Sequence, residues 1–275
     1  MIGQTNLLNK LNKLIEHSQF PRFSLFIGDR GSGKHELVHY IKNKLNYDLV
    51  EVSSRVDDVR NMINDAYIVQ SPTIYVIYDA DNMTENAKNA MLKLCEEPTN
   101  SAYIIMTLTS ESNTLETILS RASVFRLEPY SKDELNMYSH QLNIAKYDSF
   151  ICDVCSTPGQ IIDYEKYNVN IHDYTKLVFD NVDKVSGSNA FKIADKLNLT
   201  NEDSLDKIPL FYFFKAFVVL CNDAKQDNLK KCYEGMLITS KYLNDLKFNS
   251  LNKTMLFDNW LLDIRASWLE YAENN

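Results

Sequence analysis

Three glycines and a lysine stand together at one point of the chain, where their types and spacing could bind phosphate. In the letters SLFIGDRGSGKH, an apolar run leads into Gly28, Gly31, Ser32 and Gly33, and Lys34 follows. Glycines let backbone amides turn towards phosphate oxygens, the N-terminus of a following helix adds positive charge, and a lysine there reaches the outer phosphates. These are three of only seven glycines in 275 residues. The segment therefore predicts a phosphate-binding loop.

The residue after the lysine argues against an ordinary magnesium nucleotide site. A working loop carries Ser or Thr there as a magnesium ligand, and here the residue is His35. Imidazole is a poor ligand for this hard cation. The second metal contact is expected from an aspartate closing a later strand, and TIYVIYDAD, with Asp79 and Asp81, is the candidate segment. The register within that segment decides whether both magnesium ligands are present.

The elements around these residues alternate between strands and helices. The pattern predicts strands at 23–27, 49–52, 73–78, 102–108 and 123–127, and helices at 7–15, 34–45, 59–69, 84–95 and 115–119. Alternation of this kind indicates a parallel sheet covered by helices, an α/β fold. The glycine segment then lies between a strand and a helix, where a phosphate-binding loop belongs.

Predicted strands end after Pro129, and the remainder of the chain has helical patterning. Ser131 and Glu134 form a capping box that opens a helix, and further short helices follow. A chain of 275 residues favours two domains, because a single core seldom grows past roughly 250 residues. We predict an α/β domain over 1–128, a small helical unit over 129–168 and an all-helical domain over 169–275.

Charge, hydropathy and cysteine usage exclude several classes of protein. The chain has 29 basic and 37 acidic residues, a net charge of −8, which is the opposite of the basic footprint of a protein that grips nucleic acid unaided. The longest apolar run, Ile208 to Cys221, contains Pro209 and Lys215 and is too short to span a membrane, so it predicts a buried core helix. Five cysteines without a regular framework indicate a reducing compartment. We expect a cytoplasmic protein without membrane contact.

Four motifs, in order, resemble the AAA+ clamp-loader family of DNA replication. Ile2 to Gln4 matches its GQ signature, Tyr78 to Thr84 its acidic block, Asn89 to Pro98 its NALLKxLEEP block, and Thr117 to Ala122 its SRC motif. The resemblance implies a P-loop core with a helical lid and a C-terminal collar domain that holds an assembly. It also implies the partners: other clamp-loader subunits, a sliding clamp, and primer–template DNA reached through the assembly.

The same resemblance assigns roles to single positions. If Ala80 and Asp81 align with the last two letters of the family's DEAD motif, Asp79 falls on the glutamate that activates water and Tyr78 on the metal-binding aspartate. With His35 beside the lysine, both magnesium ligands are then missing. The resemblance therefore implies that ATP binds weakly or not at all in cis, with no metal held at this site.

Two further positions follow from the resemblance to sensor motifs. In STPGQ, which is similar to the family's GSPGRA turn, Gln160 replaces the nucleotide-sensing arginine. Thr109, or alternatively Thr107, takes the sensor position on the strand after the acidic block. Both belong with the loop residues to a degenerate nucleotide site.

Arg121 keeps the identity of the family's arginine finger while the groups around the loop have changed. Such an arginine, supplied in trans, stabilises phosphoryl charge on a neighbouring subunit's nucleotide. The combination most resembles the delta-prime type within the family, which serves as a stator without hydrolysing ATP. We therefore predict a clamp-loader subunit that is no ATPase by itself and contributes Arg121 to hydrolysis in a complex.

Zinc is not expected. Many bacterial clamp-loader subunits carry a four-cysteine module between the loop and the acidic strand, whereas residues 35–78 contain no cysteine. Cys152 and Cys155 lack a second pair and predict core positions. The shortened chain favours a compact version, from a bacterial cell or from a virus or plasmid, with the cytoplasm of the cell or infected host as its location.

Two other functions stay open from the residues. In the first, the chain is itself an ATPase, with Asp79 or Asp81 binding the metal through a shifted register. In the second, it is a helicase-loading or recombination relative that acts as a binding module. Without the family pattern, we would interpret Glu96 and Glu97 only as a solvated helix end.

Overall fold

The structure is a computed structural model that describes residues 3–97, 99–142, 149–184, 192–200, 204–226, 228–246 and 251–273. Ile2 and Pro98, which belong to two of the matched motifs, lie outside these ranges. The chain divides into two compact units: residues 1–138 with 157–160, and residues 139–156 with 161–275. The domain boundaries at 128 and 168 stay predictions. Within the described ranges, no helix has the length and apolar character needed to cross a membrane.

The first unit contains a five-stranded sheet in the order β2-β3-β4-β1-β5, with all neighbours parallel. The strands are β1 (Phe23–Ile27), β2 (Asp48–Glu51), β3 (Thr73–Ile77), β4 (Ala102–Leu108) and β5 (Ser123–Arg126). The helices are α1 (Thr5–Glu16), α2 (Lys34–Leu45), α3 (Val56–Ile68), α4 (Glu85–Glu96), α5 (Glu116–Leu119) and α6 (Lys132–Gln141). The predicted parallel α/β sheet is confirmed.

Helices cover both faces of this sheet, because its strands alternate their side chains between the faces. In β1, Phe23, Leu25 and Ile27 belong to one buried cluster and Phe26 to another. Helices α3, α4 and α5 contribute to the first cluster, and α1 and α2 to the second. All five residues of β1 are buried, as in a strand covered on both sides.

The parallel arrangement brings the candidate site residues to one edge. Gly28 follows β1, Tyr78 and Asp79 follow β3, and Thr109 follows β4. Strand β4 lies between β3 and β1, so these three strand ends are neighbours. Binding sites of open parallel sheets form at the carboxyl ends of the strands, where the strand order reverses.

The predicted element bounds of this unit are close to those observed. The five strands differ from prediction by at most one residue at either end. The helix predicted from Val59 begins earlier, at Val56, because Asp57 and Asp58 suit the positive N-terminal turn although they lie outside the apolar periodicity. The capping box is present: the amide of Glu134 donates to Ser131 Oγ (3.2 Å), and the amide of Ser131 donates to Glu134 Oε2 (2.8 Å).

The second unit is helical in its described residues, apart from a parallel pair of two-residue strands, β6 (Leu197–Asn198) and β7 (Ile208–Pro209). Its helices are α7 (Ser149–Val154), α8 (Pro158–Glu165, which begins in the first unit), α9 (Ile171–Asn181), α10 (Leu210–Asp223), α11 (Leu229–Asp245) and α12 (Lys253–Glu273). The helix expected from Ile208 begins at Leu210, because a residue before proline disfavours helical backbone. Otherwise the core helix is as predicted: Phe213 and Phe217 are fully buried and both rings contact Trp260.

Replacing Leu25 by alanine is expected to destabilise the first unit by about 2–5 kcal/mol, because the fully buried side chain would leave a cavity in the strand that carries the loop. Urea unfolding followed by circular dichroism measures the loss. Ile68 is 75% exposed at the end of α3, and Ile68→Ala should change stability by no more than about 0.5 kcal/mol. Equal effects of the two variants would contradict the packing described for β1.

Candidate functional site at the strand ends

The glycine segment forms a tight loop between β1 and α2. Gly31 and Gly33 have φ values of 79° and 92°, in the left-handed region that favours glycine. The amide of Ser32 donates to the carbonyl of Asp29 across the turn (3.1 Å). Gly33 is the N-cap of α2, so the loop passes directly into the helix N-terminus, and this geometry can receive an anion.

Lys34 is folded back onto the loop. Its Nζ donates to the carbonyl oxygens of Gly28 (2.5 Å) and Asp29 (2.9 Å), and its side chain is buried. Burial lowers the pKa of Lys34, and the carboxylates of Asp79, Asp81 and Asp29 act in the opposite direction. The lysine thus closes the loop internally with the charge that would otherwise face a phosphate.

The two positions expected to hold magnesium are occupied by stacked rings. The imidazole of His35 lies parallel to the ring of Tyr78, with centroids 3.7 Å apart and planes 7° from parallel. The Tyr78 hydroxyl is buried without a hydrogen-bond partner among the described residues, and burial raises its pKa to about 12. A neutral phenol and an imidazole in face-to-face contact leave no hard oxygen ligand pair for magnesium.

The acidic segment after β3 is bonded to the end of β4. The amide of Asp79 donates to Thr107 Oγ1 (2.9 Å), and the Asp81 carboxylate accepts from the amide (2.9 Å) and hydroxyl (3.0 Å) of Thr109. Both sensor candidates therefore contact the acidic segment, and Asp81 joins two strand ends. The N-cap of α4 is Thr84, whose hydroxyl accepts from the amide of Ala87 (3.3 Å).

Residues 157–160 pack directly on the loop within the first unit. The amide of Gly159 donates to the carbonyl of Gly31 (2.9 Å), and the Thr157 hydroxyl donates to the carbonyl of Arg30 (2.9 Å). The Gln160 amide nitrogen also points to the carbonyl of Arg30, at 3.4 Å. A Cβ on Gly159 would lie only 2.5 Å from Gly31 Cα, so the two backbones are in close contact. The turn that resembles the family's sensor turn, with Gln160 at the arginine position, is thus bonded to the loop.

Gln4 and Tyr130 complete the surroundings of the loop. The Gln4 amide donates to the carbonyl of Glu128 (2.7 Å) and accepts from its amide (2.8 Å), and the Tyr130 hydroxyl donates to the carbonyl of Ser32 (2.8 Å). Sequence reasoning placed Gln4 and Thr157 only within motifs and missed Tyr130. The GQ match was a signal for Gln4 and the STPGQ match was one for Thr157, whereas nothing in the local sequence of Tyr130 indicates a contact with the loop.

Arg121 lies after α5, in a different setting from the loop. Its Nη1 donates to the carbonyl of Thr117 (2.9 Å), and its Nη2 pairs with Glu96 Oε1 (2.9 Å). Its side chain is 36% exposed. Unlike Lys34, it is a cationic donor that solvent can reach.

These observations test the loop for fit to a magnesium nucleotide. The loop shape, the helix N-terminus and the buried Ser32 hydroxyl, which has no partner among the described residues, suit an anion. The stacked rings of His35 and Tyr78 do not suit the metal. No group of three or more His, Cys, Asp or Glu side chains able to hold a metal occurs in the described part of the chain. Cys152 and Cys155 are buried, as predicted for core positions.

Comparison with known proteins gives consistent relatives. A family model described as "DNA polymerase III, delta subunit" matches residues 51–131. The replication factor C small subunit of Staphylothermus marinus is 27% identical over 149 residues, which cover 49% of this chain and 45% of the relative. DNA polymerase III subunit tau/gamma of Haemophilus influenzae is 21% identical over 169 residues, covering 50% of this chain and 25% of the relative. The chain thus spans less than half the length of these relatives.

Solved structures share the fold. A DNA polymerase III gamma subunit-related protein from Thermotoga maritima has a TM-score of 0.51 and 15% identity, and the match covers 94% of this chain and 99% of the other. The RuvB Holliday junction branch migration motor of the same organism has a TM-score of 0.51 and 16% identity, with 82% of each chain covered. The expected P-loop core with C-terminal helices is therefore confirmed at the level of fold.

Replacing Gly159 by alanine is expected to destabilise the chain by about 1–3 kcal/mol, because the new methyl group would overlap Gly31. The sign is diagnostic, since alanine would otherwise stabilise this helical position by about 0.4–1 kcal/mol. Thermal unfolding measures the change. Ile162→Ala, at a position of the same helix that is 42% exposed, is the control and should change stability little. A raised melting temperature for Gly159→Ala would contradict the close contact.

Proposed function

We propose that this chain, which is similar to replication factor C and DNA polymerase III clamp-loader subunits, is a delta-prime-like subunit of an AAA+ clamp-loader assembly. In this role it helps to place a sliding clamp on primer–template DNA, its own nucleotide site does not hydrolyse ATP, and Arg121 acts on the nucleotide of a neighbouring subunit. Its partners are the other loader subunits and the clamp, and DNA is reached through the assembly.

The observation that carries this proposal is the ring stack in place of the magnesium ligands. Hydrolysis of a nucleoside triphosphate by a phosphate loop depends on a metal that neutralises the developing charge. His35 and Tyr78 supply stacked rings where this metal would need oxygen ligands. The bonds of Lys34 to its own loop point the same way. A chain with this site can hold a phosphate group without completing the reaction.

The chemistry left to this chain is that of a donor to another subunit. A guanidinium carries a permanent positive charge and a planar set of N–H donors that match phosphate oxygens. Arg121 presents such a group at the surface, on a segment separate in sequence from the loop and the acidic block. It would orient on the outer phosphate of a neighbour's nucleotide and stabilise the charge that develops there.

The alternative of an active ATPase needs Asp79 or Asp81 as a metal ligand. Asp81 is a poor candidate, because its carboxylate accepts two hydrogen bonds from Thr109. Asp79 follows the stacked Tyr78, has a left-handed φ of 48° and is exposed. Neither aspartate has a Ser or Thr hydroxyl after the lysine as a second magnesium ligand, because that position is His35.

Restoring the two magnesium ligands tests the cis site. Wild-type protein should bind ATP with less than about a twofold gain from magnesium, whereas the double variant His35→Thr, Tyr78→Asp should gain on the order of tenfold, about 1.4 kcal/mol. Calorimetric titration with and without magnesium measures both. The single variants are controls, because each restores one ligand only. Strong magnesium-dependent binding by the wild type would favour the active-ATPase alternative.

Removing the arginine tests the trans role. In the assembly that copurifies with the full-length chain, Arg121→Ala should lower turnover at the site it serves by about 10³-fold or more. The total ATPase rate stimulated by clamp and DNA should therefore fall by the fraction that this site contributes. The assembly should still elute intact in size-exclusion chromatography. Arg60→Ala removes an equally charged surface residue of α3, paired with Asp57 at 3.7 Å, and should have no effect. Undiminished ATPase activity of the assembly with Arg121→Ala would contradict the trans role. A separate outcome concerns the partner: copurification with a helicase in place of a clamp would favour the binding-module alternative.

A further inference from the structure

Glu96 is the acidic side chain that forms an ion pair with Arg121. It is the last residue of α4, and its carboxylate Oε1 lies 2.9 Å from Arg121 Nη2. Glu97, the next residue, is equally acidic and also exposed, yet the ion pair is made by Glu96. The sequence alone indicates no difference between these two glutamates. The pair connects the end of α4 to the segment after α5.

Arg121 is held from three directions. Besides Glu96, the carbonyl of Thr117 accepts from Nη1 at 2.9 Å, and Ser120 Oγ lies 3.4 Å from the same nitrogen. A guanidinium has more N–H donors than these three contacts use. The group can therefore be held by its own chain and still offer donors to a phosphate.

The exposure of the pair excludes a main role in stability. The side chains of Arg121 and Glu96 are 36% and 52% exposed, and exposed ion pairs contribute little to folding because water and salt screen them. The contact instead fixes the orientation of the Arg121 guanidinium. A long arginine side chain loses much rotamer freedom when it is held in one place, and catalytic groups act efficiently only in a narrow geometry.

We propose that Glu96 is a positioning residue for Arg121, which rests on the trans role proposed above for that arginine. Glu96 and the Thr117 carbonyl hold the guanidinium pointing outward before a neighbour's nucleotide arrives. The Arg121 side chain then loses its conformational entropy within the subunit, before the nucleotide arrives. ATP hydrolysis at the neighbour's site is therefore faster.

The test replaces Glu96 by glutamine in the assembly that copurifies with the full-length chain. Glu96→Gln should lower kcat of the stimulated ATPase at the site served by Arg121 by about 3- to 10-fold, with KM for ATP changed less than about twofold. Glu97→Gln removes the same charge from the adjacent residue and should leave kcat unchanged. Glu111→Gln breaks another exposed Arg–Glu pair, with Arg126 at 2.5 Å, and is expected to have no effect on kcat.

A double-variant cycle separates positioning from a general effect of charge or stability. If Glu96 acts through Arg121, the Glu96→Gln, Arg121→Ala chain should be no slower than Arg121→Ala alone. Additive losses, or an unchanged kcat in Glu96→Gln while Arg121→Ala is slow, would overturn the positioning role and leave the trans role standing. If Arg121→Ala itself has no effect, the trans role fails, and the positioning role fails with it.

Discussion

Backbone pairing of β1 on both sides is the constraint on which the rest of the candidate site depends. At its carboxyl end the amide of Gly28 donates to the carbonyl of Leu108 in β4 (3.1 Å), and the carbonyl of Ile27 accepts from the amide of Leu127 (2.8 Å). The glycine loop therefore starts from a fixed point. Because the sheet is parallel, the ends of β3 and β4 meet it at the same edge, and contacts between distant parts of the chain become available.

Those contacts are used to bond the loop to the protein itself. Lys34 donates to carbonyls of its own loop, and Thr157 and Gly159 bond to the outer carbonyls of Arg30 and Gly31. Tyr130 contacts the carbonyl of Ser32. In a hydrolysing subunit, charged and polar groups at such a loop act on the nucleotide. Here they satisfy one another, so the loop keeps its shape through internal hydrogen bonds.

The changes at the metal position are coupled physically. A histidine alone after the lysine, or a tyrosine alone at the end of β3, would each leave half of a ligand set. Together, His35 and Tyr78 form a stack with centroids 3.7 Å apart, which replaces a charged, hydrated arrangement by ring contact. Arg121 depends on none of these groups, because α4 and α5 hold it through Glu96 and Thr117. The proposed function needs this independence, because it assigns no hydrolysis to the loop and a role at another subunit to Arg121.

The amino-acid sequence by itself determined the α/β class, the strand bounds to within one residue, the loop and its lysine, and the presence of His35, Tyr78 and Arg121 at the positions that the motifs align. These are local properties, since they follow from side-chain periodicity, glycine conformation and motif spacing. The tertiary structure alone decided that His35 meets Tyr78, that Asp81 binds Thr109 and that Glu96, and not Glu97, holds Arg121. Each of these is a contact between residues 25 to 43 positions apart in the numbering, and strand order and helix packing, which local patterns do not specify, bring such residues together.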